Sequence, residues 1–270
     1  MPGSRLEPGV TVVVPVWDDY ARFLDATIGS ISGQYVNLEI LLVDNASTVS
    51  IAVSGCRVIR SERRLSRGAA RNFGLAAVKT ELVTFWDADD HLADGALSEM
   101  VEALASDVRL VGCLIVEQHS GERHRWPSMG TFRLCRRPRV FALAELVWPR
   151  FPVTGSLMRT AEVRELGGYT DSNRAEHWSL AACLAARGRI VLLERPGIHY
   201  RVHARQGAGN QVGAVVAQGR LARRSVRLDA GADPLVIRLA PLAGLGSYLV
   251  AYVVRPLRGW IRSRRRASAQ

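Results

Sequence analysis

The feature that most constrains this chain is a short run near its start, Val-Thr-Val-Val-Val-Pro-Val over 10–16, which is β-branched and apolar on both faces. Such a strand must be covered on both sides, as strands inside a parallel sheet are. Pro15 is expected to end it. Asp18 and Asp19 precede Tyr20 to Ile31, where Phe23, Leu24, Thr27, Ile28 and Ile31 recur at helical spacing. A capped amphipathic helix should therefore follow, completing the first half of a βαβ unit.

The same alternation continues. Leu38 to Val43 reads as a second strand running into the polar turn Asp44-Asn45-Ala46-Ser47. Open α/β sheets place their ligands at such carboxyl-terminal strand ends. Arg57 to Arg60 predicts a shorter strand, and Gly68 to Val78 a small-residue helix able to approach the sheet closely. Leu82 to Trp86 then delivers the chain to Asp87-Ala88-Asp89-Asp90. Ala96 to Leu104 predicts a helix, Val108 to Val116 a strand, Leu143 to Val147 a short helix stopped by Pro149, Thr154 to Met158 a strand, and Glu176 to Ala186 a helix ended by Arg187-Gly188. The stretch from Gln118 to Pro138 is irregular and reads as a loop excursion. The fold class is α/β, a mostly parallel sheet with helices on both faces. Residues 1–206 read as one α/β domain, and 207–270 as a C-terminal helical tail, apolar and basic.

Composition narrows the setting. A chain of 270 residues, 48% hydrophobic and 23% charged, can bury a substantial core. Cys56, Cys113, Cys135 and Cys183 lie far apart, with neither disulfide-framework nor zinc-ligand spacing, which fits a reducing cytoplasm. No apolar stretch of signal-peptide length opens the chain, so export is not expected and catalysis belongs on the inner side of a membrane. The formal charge of +11 attracts anions, but nearly all of it is arginine, which a GC-rich coding sequence also explains. The arginines are scattered or lie in the tail and no nucleic-acid-binding motif appears, so nucleic acid is not an expected partner.

Asp44 and the Asp87 to Asp90 group both follow buried strands, so the fold brings them to one edge of the sheet. Oxygen ligands completed by water and substrate phosphates suit Mn2+ or Mg2+ rather than zinc. Such an ion neutralises a departing diphosphate. Alone, Asp87-Ala88-Asp89-Asp90 reads equally well as a solvated turn before a helix.

Six segments together resemble a family 2 glycosyltransferase of the GT-A fold, which is Rossmann-like. They are Val12-Val13-Val14-Pro15-Val16-Trp17-Asp18, Leu42-Val43-Asp44-Asn45-Ala46-Ser47, Gly68-Ala69-Ala70-Arg71-Asn72-Phe73-Gly74-Leu75, Phe85-Trp86-Asp87-Ala88-Asp89-Asp90, Gly167-Gly168-Tyr169 and Tyr200-Arg201-Val202-His203. The resemblance implies an inverting enzyme that moves a sugar from a nucleoside-diphosphate sugar, commonly a UDP-sugar, to an acceptor. It sets Pro15, Val16, Trp17 and Asp18 against the nucleotide and Asp44 on the base. Arg67 or Arg71 would reach the base or diphosphate, Asp87 and Ala88 would lie by the ribose, and Asp89, with Asp87 and His203, would hold the metal. Trp17 as core, Arg71 as a helix-surface ion pair and His203 as a structural histidine remain open beside these roles. Gly167-Gly168 is conformational.

The sequence departs from this pattern at the catalytic base. The family usually has a Glu-Asp pair after the Gly-Gly turn, whereas this chain reads Ala175-Glu176-His177-Trp178. A neutral imidazole accepts a proton near neutral pH, so His177 is competent and slightly preferred to Glu176, which stays a candidate. The acceptor is a saccharide, a lipid-linked molecule or a small molecule, as in cell-envelope polysaccharide or glycolipid synthesis. A catalytically inactive glycosyltransferase-like partner protein and a nucleotidyltransferase are the competing readings, the latter without the Gly-rich phosphate loop after its first strand.

Leu239 to Val254 is almost wholly apolar and precedes Arg255, Arg258, Arg262, Arg264, Arg265 and Arg266. It is shorter than the roughly 20 residues that span a bilayer and contains Pro241, Gly244 and Gly246. Residues 239–266 therefore read either as a peripheral contact with the inner membrane face or as a helix packed on the domain or on the second subunit of a homodimer.

Overall fold

A computed structural model of the chain describes residues 9–34, 36–119, 122–151, 153–201 and 212–254. The opening run forms strand β1 (Val10–Val16), every residue of it buried, and Pro15 lies inside the strand rather than ending it. A 3-10 turn (Asp18–Phe23) leads into helix α1 (Leu24–Ser32). Neither Asp18 nor Asp19 caps a helix as expected. The Asp18 carboxylate instead accepts a hydrogen bond from the Thr48 backbone N–H at 2.6 Å, tying the β1 loop to the β2 loop.

The remaining elements follow in order. They are β2 (Leu38–Asn45), β3 (Arg57–Ser61), α2 (Arg67–Ala77), β4 (Leu82–Phe85), β5 (His91–Leu92), α3 (Ala96–Ala103) and β6 (Val108–His119). Then come β7 (Glu122–Trp126), α4 (Met129–Cys135), α5 (Pro138–Val147), β8 (Leu157–Arg159), α6 (Thr160–Glu165), α7 (Trp178–Arg187) and β9 (Arg189–Tyr200). Helices α8 (Val212–Leu228), α9 (Pro234–Leu239) and α10 (Ala243–Leu249) and a π-helical turn (Val250–Val254) close the described chain.

Among the described residues the strands form one sheet in the order β3-β2-β1-β4-β8-β6-β9-β5, with β7 on β6. The β3-β2-β1-β4 half is parallel, as the βαβ alternation predicts. The other half is mixed: β8 is antiparallel to both β4 and β6, and β5 and β7 are antiparallel to their partners. The supposedly irregular stretch after Gln118 supplies β7, which returns antiparallel on β6, and α4.

Alternation along the strands divides the core between two faces. Val12 and Val14 pack with Leu24, Ile28, Leu97 and Met100 beneath α1 and α3. Val13 packs with Leu75, Phe141, Trp178 and Leu180 beneath α2, α5 and α7. The expected close approach of α2 is present: a Cβ on Gly74 would lie 2.4 Å from a Val13 methyl group. The buried faces of α8 to α10 join the second core through Val215, Ala222, Val226, Val236 and Ala243. No helix among the described residues is long and apolar enough to cross a membrane.

Candidate active site

The carboxyl ends of β1, β2 and β4 and the start of α2 enclose a cleft lined by Pro15, Trp17, Tyr20, Asn45, Arg67, Ala70, Arg71, Asp87, Ala88, Asp89 and Tyr200. Asp87 and Tyr200 are shared with a second cavity of about 330 Å³, which also exposes Asp90, Ile115, Trp126, Val153, Thr154, Ile198 and His177. Two compartments thus meet across one carboxylate and one phenol.

The first cleft collects several of the expected residues. The Trp17 ring packs against Tyr20 at 4.5 Å, tilted by 48°, and carries the Arg64 guanidinium 4.1 Å from its centre, so it is a surface of the cleft rather than a core residue. Arg67 is exposed at the first turn of α2 and adds its charge to the positive end of the helix dipole. Val16 is fully buried, which leaves only its backbone near the cleft.

Asp44 does not line the cleft. Its neighbour Asn45 does, and successive strand residues point to opposite faces. The Asp44 carboxylate is engaged by the backbone N–H groups of Ser47 (2.9 Å) and Ile51 (3.3 Å) and by Arg60. Burial pushes its pKa up, but these hydrogen bonds outweigh burial and hold it below the usual range. Asp44 and Asp18 therefore shape the loop beside the cleft, with Ala46 in left-handed backbone between them.

An ion triad centred on a buried arginine runs inward from the cleft wall. Arg71, 1% exposed at its side chain, donates to Asp87 at 2.8 Å and to Glu176. Its guanidinium also lies 5.2 Å from the centre of the Tyr169 ring. Burial alone would raise the Glu176 pKa, but Arg71 overrides it and pulls the carboxyl down to about 2. Glu176 lines neither compartment, and a carboxylate this acidic is a weak proton acceptor. His177, the next residue, does face the second cavity. Burial lowers its pKa from the ordinary value against the opposing pull of Glu176, which favours the neutral imidazole.

The His177 loop is held by α2. Ser66 caps that helix through the Ala69 N–H, Gly68 N–H donates to the Ser172 carbonyl at 3.0 Å, and Asn72 bonds both backbone groups of Tyr169. A Cβ on Gly68 would fall 1.8 Å from the Thr170 oxygen, so only glycine permits this contact. Gly167 and Gly168 turn the chain with φ of 78° and 69°, as their conformational role requires. Ala175, at φ 47°, is a non-glycine residue in left-handed backbone immediately before Glu176, a strain held by the surrounding contacts.

Asp89 faces the first cleft and Asp90 the second. Asp90 is buried, and that burial together with the charges of Asp87 and Asp89 raises its pKa well above the usual value. Its carboxylate accepts from the Arg201 N–H at 3.3 Å, and the Asp89 carbonyl from the Arg201 side chain at 3.1 Å. His203, the remaining expected metal ligand, lies outside the described residues. No group of three or more His, Cys, Asp or Glu side chains that could hold a metal occurs among the described residues.

Sequence reasoning missed Tyr20, Asn45, Trp126 and Thr154 as lining residues. Tyr20 carried a signal, an aromatic one turn after the strand-end Trp17. Trp126 arrives through β7, inside the stretch read as irregular, and Thr154 through the turn before β8, whose partners β4 and β6 are distant in the chain.

A sequence profile described as "Glycosyl transferase family 2" matches residues 11–166, more than half of the chain. A curated relative from Nostoc sp., "Uncharacterized glycosyltransferase alr2836", is 27% identical over 226 residues, covering 77% of this chain and 68% of its own length. Of three further curated relatives, the matched part spans only 41%, 9% and 35%. Among solved structures, S. aureus TarS 1-349 in complex with UDP-GlcNAc superposes with a TM-score of 0.66 at 17% identity, over 90% of this chain and 73% of that one. The mannosyltransferase PcManGT of Pyrobaculum calidifontis, with GDP-Man and Mn2+, gives a TM-score of 0.57 at 20% identity, over 92% and 72%. At these identities the structural likeness is one of fold, and it bears out the GT-A reading. The order of strand-end motifs, the two-compartment site and the profile match converge: the chain belongs to glycosyl transferase family 2.

Proposed function

We propose that this enzyme transfers a sugar from a nucleoside-diphosphate sugar, a UDP-sugar in the first instance, to an acceptor hydroxyl by a single displacement that inverts the anomeric centre. The observation that carries this reading is the shared wall. Asp89 and Arg67 line one compartment, His177 lines the next, and Asp87 and Tyr200 belong to both. In-line displacement needs the leaving group and the proton acceptor on opposite sides of the reacting carbon, and adjoining compartments supply that.

In this reading the donor nucleotide lies against Trp17 and Asn45. Arg67 and the amino end of α2 offset the diphosphate charge. His177 takes the acceptor proton, and Glu176 acts through Arg71 as a positioning residue that fixes Asp87 and the His177 loop. Asp87 and Asp89 are hard oxygen donors suited to Mn2+ or Mg2+, which is commonly held by one or two carboxylates plus substrate phosphates. The cation, when bound, would supply charge neutralisation to the departing diphosphate. The donors named in the TarS and PcManGT structures, and the Mn2+ of the latter, support this choice of ligands. A saccharide or lipid-linked acceptor on the cytoplasmic side of the membrane fits the second cavity, with Trp126 as a platform for a sugar ring.

A thermal-shift series with UDP and GDP, with and without Mn2+, tests the donor site, since a bound ligand raises the melting temperature according to its concentration over Kd. The expected result is a shift for a nucleoside diphosphate that Mn2+ enlarges, and loss of the Mn2+ increment in Asp89→Asn. A shift of equal size in that variant removes Asp89 from the metal site. A shift without release of nucleoside diphosphate from any sugar donor, with acceptors supplied, favours the inactive partner reading.

A further inference from the structure

The C-terminal helices present two faces of opposite character. On one, Ala243, Ser247 and Ala251 pack inward at four-residue spacing. The Ser247 hydroxyl donates to the Val147 carbonyl at 2.7 Å, and the buried Arg223 guanidinium bonds the Leu146 carbonyl at 3.1 Å and the Ser247 oxygen at 2.8 Å. The other face is apolar and open. Leu242, Leu245, Leu249 and Tyr252 are 63%, 75%, 55% and 56% exposed. Their spacing of three, four and three residues puts them on one helical stripe.

The exposed charge on these helices has one sign. Arg220, Arg224 and Arg227 stand exposed along α8 and Arg238 on α9, and Arg220 reaches the Tyr248 hydroxyl, joining the basic row to the apolar stripe. The two acidic residues between 212 and 254 are already paired, Asp229 with Arg187 and Asp233 with Arg139. The sequence beyond Val254 adds Arg255, Arg258, Arg262, Arg264, Arg265 and Arg266 and no acidic residue.

We propose that this face docks on an anionic lipid surface, with Leu242, Leu245, Leu249 and Tyr252 entering the edge of the hydrocarbon and the arginines lying among the headgroups. An apolar stripe bordered by arginine is the composition of an interfacial helix, and anionic headgroups supply the charge that the flanks lack. A second copy supplies the wrong charge. A twofold interface pairs each patch with itself, which would bring two unneutralised arginine rows together. The inference does not depend on the donor chemistry.

The test is co-flotation of the full-length protein with phosphatidylcholine vesicles, with and without phosphatidylglycerol. Expected are binding to the anionic vesicles, weakening with salt, and partition at least about tenfold lower in Leu245→Glu/Leu249→Glu. Both replaced side chains are exposed, and an unchanged melting temperature establishes that the variant folds. Failure to float with either vesicle overturns the proposal, as does undiminished flotation of the variant, which would assign binding to the arginine-rich end alone. A concentration-dependent dimer that the variant abolishes, without vesicle binding, overturns it in favour of a second copy.

Discussion

Replacing Glu176 by glutamine tests the buried Arg71–Glu176 pair most directly, because it keeps the shape and removes only the charge that faces Arg71. The Glu176 carboxyl is held at about 2 in the folded protein against 4.5 for an ordinary glutamate. At about 1.4 kcal/mol for each pH unit, that gap corresponds to roughly 3 kcal/mol of stability at neutral pH. An independent route agrees: removing one partner of a buried ion pair costs about 3–5 kcal/mol, and the surviving contact with Asp87 places this case at the low end. The pH dependence has a definite sign. A carboxyl lowered on folding contributes fully above its unfolded pKa and loses that contribution as the pH falls towards about 2, so less than half remains near pH 3. Urea unfolding of the parent and Glu176→Gln at neutral pH should give midpoints that differ by roughly 3 kcal/mol once scaled by the denaturant slope. The difference should contract steadily on acidification. A variant within about 0.5 kcal/mol of the parent at pH 7, or a gap that persists unchanged into acid, refutes the claim that Arg71 and Glu176 form a buried, energetically coupled pair.

Three other outcomes follow from the same geometry. His177→Asn should lower kcat by about 10²–10⁴ at neutral pH; the acid limb of kcat/KM in the parent should fall below the ordinary histidine value and move lower still in Glu176→Gln, since Glu176 is the carboxylate that raises the imidazole pKa, and a limb that stays put excludes His177 as the titrating base. Glu145 is fully buried on α5, its pKa pushed up to about 8 by burial; a carboxyl raised on folding makes the protein lose stability as the pH climbs from about 4.5 to about 8, so the stability of Glu145→Gln relative to the parent should increase over that range, and a pH-independent difference refutes it. Gly68→Ala should destabilise the fold by at least about 2 kcal/mol, since its Cβ would fall 1.8 Å from the Thr170 oxygen, and should cut transfer because that contact holds the His177 loop; a variant of parental melting temperature and activity would show that the contact is not needed.

Much of the parallel half was legible in the residues. The doubly apolar run of β1, the strand before Asp44, the small-residue helix carrying Gly74 and the strand ending at Asp87 were each marked by composition and period, because those strands are buried on both faces and connect locally. The mixed half was legible only in part: strands were read at β6 and near β8, but not β5, β7 or β9. The antiparallel insertion of the three-residue β8 between β4 and β6, strands far from it in the chain, has no local period to announce it. Asp44 was read as cleft-facing from its place at a strand end, but position does not reveal that Ser47, Ile51 and Arg60 occupy its carboxylate.

The sequence by itself determined which chemistries were at hand: acidic strand tips, an arginine on a small-residue helix, and Glu176-His177 where the resemblance implies a carboxylate pair. Only the tertiary structure decided how they are grouped in space. Arg71 is drawn between Asp87 and Glu176, leaving Glu176 strongly acidic and buried while His177 faces the second cavity. Neighbouring residues in the chain acquire different environments because a pKa depends on what packs around a group in space, and Glu176 meets Arg71, about a hundred residues away in the chain.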